Sequence, residues 1–96
     1  MALSLQVTPS AFADIQNAID YYQDKQEYLA ERFAEILDKT FAALMSMPLS
    51  ASIIYEDVRY KRIQKFPFIV IYRVDVVSDV VQVLRIFNTY LDPSKI

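Results

Sequence analysis

Ninety-six residues with 54% apolar and 14% aromatic side chains suit one compact domain, residues 1–96, and exclude a disordered chain. The absence of cysteine and histidine excludes a disulfide scaffold, a thiolate or imidazole metal site and a Ser-His-Asp hydrolase, so no metal or cofactor is expected. The formal net charge of −2 argues against strong nonspecific binding to nucleic acid.

Met1-Ala2-Leu3-Ser4 has neither the basic start nor the apolar run of a signal peptide, and no apolar stretch nears the ~20 residues of a membrane span, so the expected location is cytoplasmic. Leu3-Ser4-Leu5-Gln6-Val7 alternates as a half-buried strand does. Thr8-Pro9 then predicts a helix start, with Thr8 as N-cap and proline in the first turn, where its missing N–H is harmless. Phe12, Ile15, Ile19 and Tyr22 form the apolar stripe of this helix. Asp24-Lys25-Gln26-Glu27 reads as a polar joint. A second helix, with Leu29, Phe33, Ile36, Leu37, Phe41 and Leu44 as its stripe, runs to about Met45. So short a joint predicts an antiparallel helical hairpin. Its tip gathers Tyr21, Tyr22, Tyr28 and Leu29, which either seal the core or face a partner.

Residues 48–57 connect to the strands, with a short strand predicted at Ile53-Ile54-Tyr55. From Val58 onward β-branched residues dominate. Val58, Tyr60 and Arg62 share one face, and Arg59, Lys61 and Ile63 the other. Phe66–Asp75 and Val80–Asn88 are apolar on both faces and read as central strands joined by Val76–Asp79. Phe68, Val70, Tyr72 and Val74 point one way; Ile69 and Ile71 point the other. The predicted fold is α+β and two-layered: an N-terminal strand, a helical hairpin, and an antiparallel meander of three to four strands. Two helices cover only one face, so the other is expected to expose Ile69 and Ile71 to a partner. With no glycine in the chain, turns are expected to rely on Asn, Asp and Ser, or on longer loops.

Charge is unevenly spread. Residues 1–50 carry a net −4 and residues 51–96 a net +2, with four basic groups and no acidic one between Arg59 and Lys65.

Val58-Arg59, Lys65-Phe66-Pro67-Phe68, Tyr72-Arg73-Val74 and Ile86-Phe87-Asn88-Thr89-Tyr90-Leu91-Asp92-Pro93 stand in an order and spacing that resemble the RelE/ParE superfamily of type II toxin–antitoxin toxins. The resemblance covers nearly the whole chain and is closer to the ParE-like branch. Members usually carry histidine where Asn88 stands. The resemblance implies a toxin neutralised by a cognate antitoxin, with the N-terminal strand lying beside the last. ParE-like members poison DNA gyrase without chemistry of their own. The alternatives are a RelE-like endonuclease that cuts mRNA on the ribosome, and a non-toxic relative that retains antitoxin binding. RelE-like nucleases place an arginine where Ile69 stands and a second one near Thr89, and both are missing here.

RNA cleavage without metal needs a base, an acid and cations for phosphate charge; Arg59, Lys61 and Tyr90 are the candidates, with Arg73 and Arg85 as further cations. The partner-binding candidates are Arg59, Lys61, Arg62, Ile69, Ile71, Arg73, Arg85, Asn88 and Tyr90. Structural readings stand beside them. Arg59 would pair with Glu35 or Asp38 of the second helix. Lys61 and Arg62 would be solvated strand-edge charges. Arg73 and Arg85 would bury their stems or pair with carboxylates. Asn88 and Asp92-Pro93 would end the strand, and Tyr90 would cover the core.

Overall fold

The computed structural model describes residues 3–90. In chain order they form β1 (Ser4–Val7), α1 (Pro9–Lys25), α2 (Glu27–Ser46), β2 (Ser52–Tyr55), β3 (Val58–Ile63), β4 (Phe68–Asp75) and β5 (Val80–Asn88). Thr8 caps α1 as its sequence suggests: its hydroxyl accepts the Ala11 N–H at 3.1 Å. The polar joint is shorter than the sequence indicates. Gln26 alone, in extended conformation, separates the helices, and its N–H still closes α1 on the Tyr22 carbonyl at 2.9 Å.

The five strands form one sheet in the order β1-β5-β4-β3-β2. β2 to β5 are the antiparallel meander, while β1 pairs parallel with β5 from Ser4↔Val80 to Val7↔Val83. The sheet is thus mixed rather than wholly antiparallel. A parallel neighbour requires a crossover, and the helical hairpin supplies it.

The hairpin packs on the face that carries Phe68, Val70 and Tyr72 of β4, Val81, Val83 and Ile86 of β5, and Ile63 of β3. α1 meets it through Ala11 and Ala18, whose small side chains allow close approach, and α2 through Phe33, Leu37 and Leu44. The inward line of α1 is therefore Ala11, Ile15, Ala18 and Tyr22. Phe12, expected in the core, is one step around the helix and 57% exposed. The aromatic end of the core is Tyr22, Phe33, Phe66 and Phe68, with Tyr22–Phe66 centroids 4.9 Å apart and edge-on. Tyr22 therefore seals the hairpin tip, whereas Tyr21 and Tyr28 stay exposed.

The helix-free face corrects a second expectation. Ile69 and Ile71 do point there, but they are only 5% and 8% exposed. Together with Val58 they form a second, smaller core flanked by Ile54, Tyr60, Leu84 and Phe87. Wide side chains on neighbouring strands close over the two isoleucines, because cross-strand neighbours stand only about 5 Å apart. Ile69 and Ile71 themselves therefore offer little exposed surface.

Turns do without glycine partly as expected, through Asp75 and Asp79, and partly through Glu56 and Lys65. Glu56, Lys65 and Asp79 take the left-handed conformation, with φ of 48°, 69° and 55°. Aspartate tolerates this region readily; Glu and Lys do so at a cost of about 1 kcal/mol. The β4–β5 turn follows the Asx pattern, with the Asp75 carboxylate accepting the N–H groups of Val77 and Ser78, each at 3.1 Å.

Candidate functional site

β1 covers only the first half of β5. At its end the chain turns into α1, which continues along the same margin. The β4–β5 register slips between Ile71↔Arg85 and Tyr72↔Val83, leaving Leu84 as the extra residue of a bulge. A bulge frees backbone groups that must find other partners. The start of α1 supplies them. Thr8 N–H donates to the Val83 carbonyl (3.0 Å), and its hydroxyl donates to the Leu84 carbonyl (3.0 Å). One helix turn beyond Ala11, the Asp14 carboxylate accepts the Ile86 N–H at 3.0 Å.

Asp14 also receives Arg85 Nε at 2.7 Å and Arg85 Nη2 at 3.1 Å, a bidentate pair. The Asp14 hydrogen bond and charge hold the Arg85 guanidinium above its ordinary pKa. Asp14 is the more sheltered partner, its side chain 16% exposed against 54% for Arg85. Nothing in the sequence pairs these residues, 71 positions apart; the bulge that brings them together has no sequence signature of its own.

Among the described residues no strand pairs with β5 past Ile86 on the α1 side, and a groove of about 550 Å³ lies between β5 and α1. Asn17, Ala18 and Tyr21 form one wall, Phe87, Asn88 and Tyr90 the other, and Phe68 and Tyr22 lie between them. Burial raises the Tyr22 pKa above the ordinary phenol value, so this hydroxyl is a hydrogen-bonding group rather than a base. The Asn88 side chain accepts the Tyr90 N–H at 2.9 Å, and the Thr89 hydroxyl and N–H both reach the Pro67 carbonyl. Asn88 thus shapes the end of the strand as expected; Asp92-Pro93, given the same role, lie outside the described residues. Tyr90 does not cover the core: it is 85% exposed at the mouth of the groove.

The other predicted site residues are dispersed. Arg59 turns away from both Glu35 and Asp38. Its Nη1 donates to the Ala51 carbonyl at 2.8 Å, beside Tyr72, whose hydroxyl donates to the Pro48 carbonyl at 2.7 Å. Both side chains leave the sheet where the chain returns from α2 to β2, and a carbonyl there needs a donor. Burial pushes the Tyr72 pKa up, against the opposing pull of Arg59. Arg73 pairs with Asp57 at 3.2 Å near the surface. Lys61 and Arg62 line a shallow depression with Tyr60 and Met47, and Lys61 also borders a cleft with Arg32, Lys39 and Lys65 of neighbouring elements. Arg85, Asn88 and Tyr90 are thus gathered in one groove. Of Arg59, Lys61 and Tyr90, the trio proposed for RNA cleavage, Arg59 and Lys61 share one face of β3, whereas Tyr90 lies in the groove beyond β5. Asp14 and Asn17 carry no sequence signal as groove residues, whereas Tyr21 belongs to the aromatic tip that the sequence offers to a partner.

The profile of the family described as ParE toxin of type II toxin–antitoxin system, parDE, matches residues 5–89. No match was found among curated protein sequences. Among solved structures, a chain of the chromosomal ParDE toxin–antitoxin system from P. aeruginosa superposes with a TM-score of 0.77 at 22% identity, covering 91% of this chain and 96% of that one. A chain of the toxin–antitoxin complex RelBE2 from Mycobacterium tuberculosis gives a TM-score of 0.65 at 16% identity, covering 92% and 99%. Both likenesses are of fold.

Proposed function

The chain belongs to the ParE toxin family of type II toxin–antitoxin systems, and from that premise we propose that it acts by binding rather than by catalysis. Its target in this reading is DNA gyrase, and a cognate antitoxin neutralises it by placing a segment in the groove between α1 and β5. One observation carries this reading: of the four cations expected to serve phosphate chemistry, Arg59, Arg73 and Arg85 are engaged within the chain, and among the described residues only Lys61 is not. Arg59 is engaged with the Ala51 carbonyl, Arg73 with Asp57 and Arg85 with Asp14. A cleavage site needs such groups convergent and free to meet charge that builds on phosphate. The groove, by contrast, is walled by aromatic and amide side chains with an internally neutralised ion pair at one end. That composition suits an amphipathic protein segment. Both solved neighbours come from toxin–antitoxin systems, which supports an antitoxin as partner.

Expression in a bacterial host, followed by a gyrase cleavage assay with purified protein, tests the target. Growth arrest with gyrase-dependent DNA breaks is the expected result. Cleavage of ribosome-bound mRNA with gyrase unaffected would assign the endonuclease activity instead, and unimpaired growth would identify a relative that retains only antitoxin binding. Hydrogen exchange with and without the antitoxin tests the groove: protection of residues 14–21 and 85–90 is expected, and unchanged exchange there would move the antitoxin elsewhere.

A further inference from the structure

We propose that the free margin of β2 is a self-association surface, through which two copies of this chain pair β2 to β2 about a two-fold axis and join their sheets into one. Among the described residues β2 is the last strand of the sheet, hydrogen-bonded on one side only, to β3. Such a margin presents unpaired N–H and C=O groups, and soluble proteins protect it with charge, proline, a covering element, a short strand or a bulge; β2 has the last two, with two regular residues before its bulge. The strand Ser52-Ile53-Ile54-Tyr55 contains neither lysine nor proline. No charge occurs anywhere from residue 40 to residue 55, between Lys39 and Glu56.

Four large apolar side chains crowd this stretch and are exposed: Met47 (65%), Leu49 (57%), Ile53 (55%) and Tyr55 (57%). Ile53 and Tyr55 lie on opposite faces of the sheet, because Ile53 pairs with Arg59 on the helix side and Tyr55 with Val58 on the helix-free side. A strand added to this margin would cover both. The bulge between Ile53 and Tyr55 turns Ile54 into the second core and leaves Ser52-Ile53 as the regular part of the margin. The opposite margin makes the contrast. β1 exposes Ser4 and Gln6 and keeps Leu5 and Val7 half-buried.

The occupant is a second copy because an uncharged margin is self-complementary. Two identical charged strands would repel across the axis, whereas two uncharged ones pair without penalty. The area agrees with a modest dimer. The four side chains offer on the order of 500 Å² of exposed surface, divided between the two faces of the sheet. Two copies would bury about 1,000 Å², the lower limit for a specific interface. The dimer leaves the α1–β5 groove, at the other side of the sheet, open in each copy.

Sedimentation equilibrium of the full chain tests this, with Ile53→Lys and Tyr55→Lys as variants and circular dichroism as a check of folding. The wild type is expected to dimerise with a dissociation constant on the order of 10–100 μM. Each variant should weaken this at least tenfold while keeping the native spectrum, since neither side chain is buried. The lack of native cysteine permits a second measurement. Ile53→Cys should form a disulfide-linked dimer under mild oxidation, and Gln6→Cys, at the opposite margin, should not. A wild type that stays monomeric up to about 1 mM, a dimer indifferent to both lysine variants, or cross-linking through Gln6→Cys would each overturn the proposal. Monomeric protein that instead gains protection at residues 52–55 only with antitoxin bound would also overturn it, and would assign the margin to the antitoxin.

Discussion

At the β1/α1 side of the sheet, β5 is closed by a neighbouring strand and then by polar side chains of a helix, whereas at the β2 side the last strand has no such neighbour among the described residues and displays isoleucine and tyrosine. The first margin is secured by groups that accept or donate several bonds each: Thr8 makes four and Asp14 receives three. The second has a bulge and little else. The difference shows how a chain of this size distributes its restraint. A small core cannot fix every margin, so polar bonding is concentrated where backbone irregularity would otherwise leave groups unpaired, and the opposite margin keeps apolar surface that another chain can use.

The sharpest way to break this comparison is to remove Asp14. Asp14→Ala deletes the bidentate pair and leaves the Ile86 N–H without its partner, so a loss of about 2–3 kcal/mol is expected in urea unfolding. A loss under 0.5 kcal/mol would show that the bulge is held by packing alone. Thr8→Ala removes the cap and the bond to Leu84, for an expected loss of about 1.5 kcal/mol. Hydrogen exchange on that variant should rise at residues 83–86 and remain unchanged at residues 52–55.

Tyr72→Phe extends the comparison to the β2 side, where the hydroxyl holds the Pro48 carbonyl; about 1 kcal/mol is the expected loss at neutral pH. This variant also has a pH signature. The folded tyrosine has its pKa raised by burial, above the ordinary 10.0. Below that value both folded and unfolded forms keep the proton and stability is unaffected. As pH rises through it, the unfolded chain ionises first and the native state loses stability. Tyr72→Phe should therefore flatten the fall in stability above about pH 10, followed by alkaline denaturation at fixed urea. The smallest effect is expected at Lys65, in the left-handed region. Lys65→Gly relieves the side-chain clash but frees the unfolded chain, for a net gain of about 0.5 kcal/mol. A melting temperature that falls would mean the lysine makes a compensating contact.

Much of the architecture was legible in the residues. The Thr8-Pro9 start, the two apolar stripes, and the doubly apolar runs at Phe68–Asp75 and Val80–Asn88 each report a local periodicity, and periodicity follows from backbone geometry alone. Even the opposed faces of Val70 and Ile71 could be read. The errors share one cause. Phe12 was placed in the core because it fits a helical stripe, but two alanines let α1 approach at a slightly different rotation. Ile69 and Ile71 were expected to be open because no helix covers them, yet Tyr60, Leu84 and Phe87 from adjacent strands shelter them. Arg59 was matched to a carboxylate by charge, whereas it serves a carbonyl that the chain brings beside it.

Sequence alone determined which segments are helix or strand, which side chains of each strand share a face, and the kinship with the ParE family. It did so because those properties depend on neighbours a few residues apart and on motif order. The tertiary structure decided that β1 runs parallel to β5, that Leu84 bulges, that Asp14 meets Arg85, and that a groove opens between α1 and Asn88. These depend on register between distant segments. A shift of one residue there exchanges the faces of a strand without altering any local pattern.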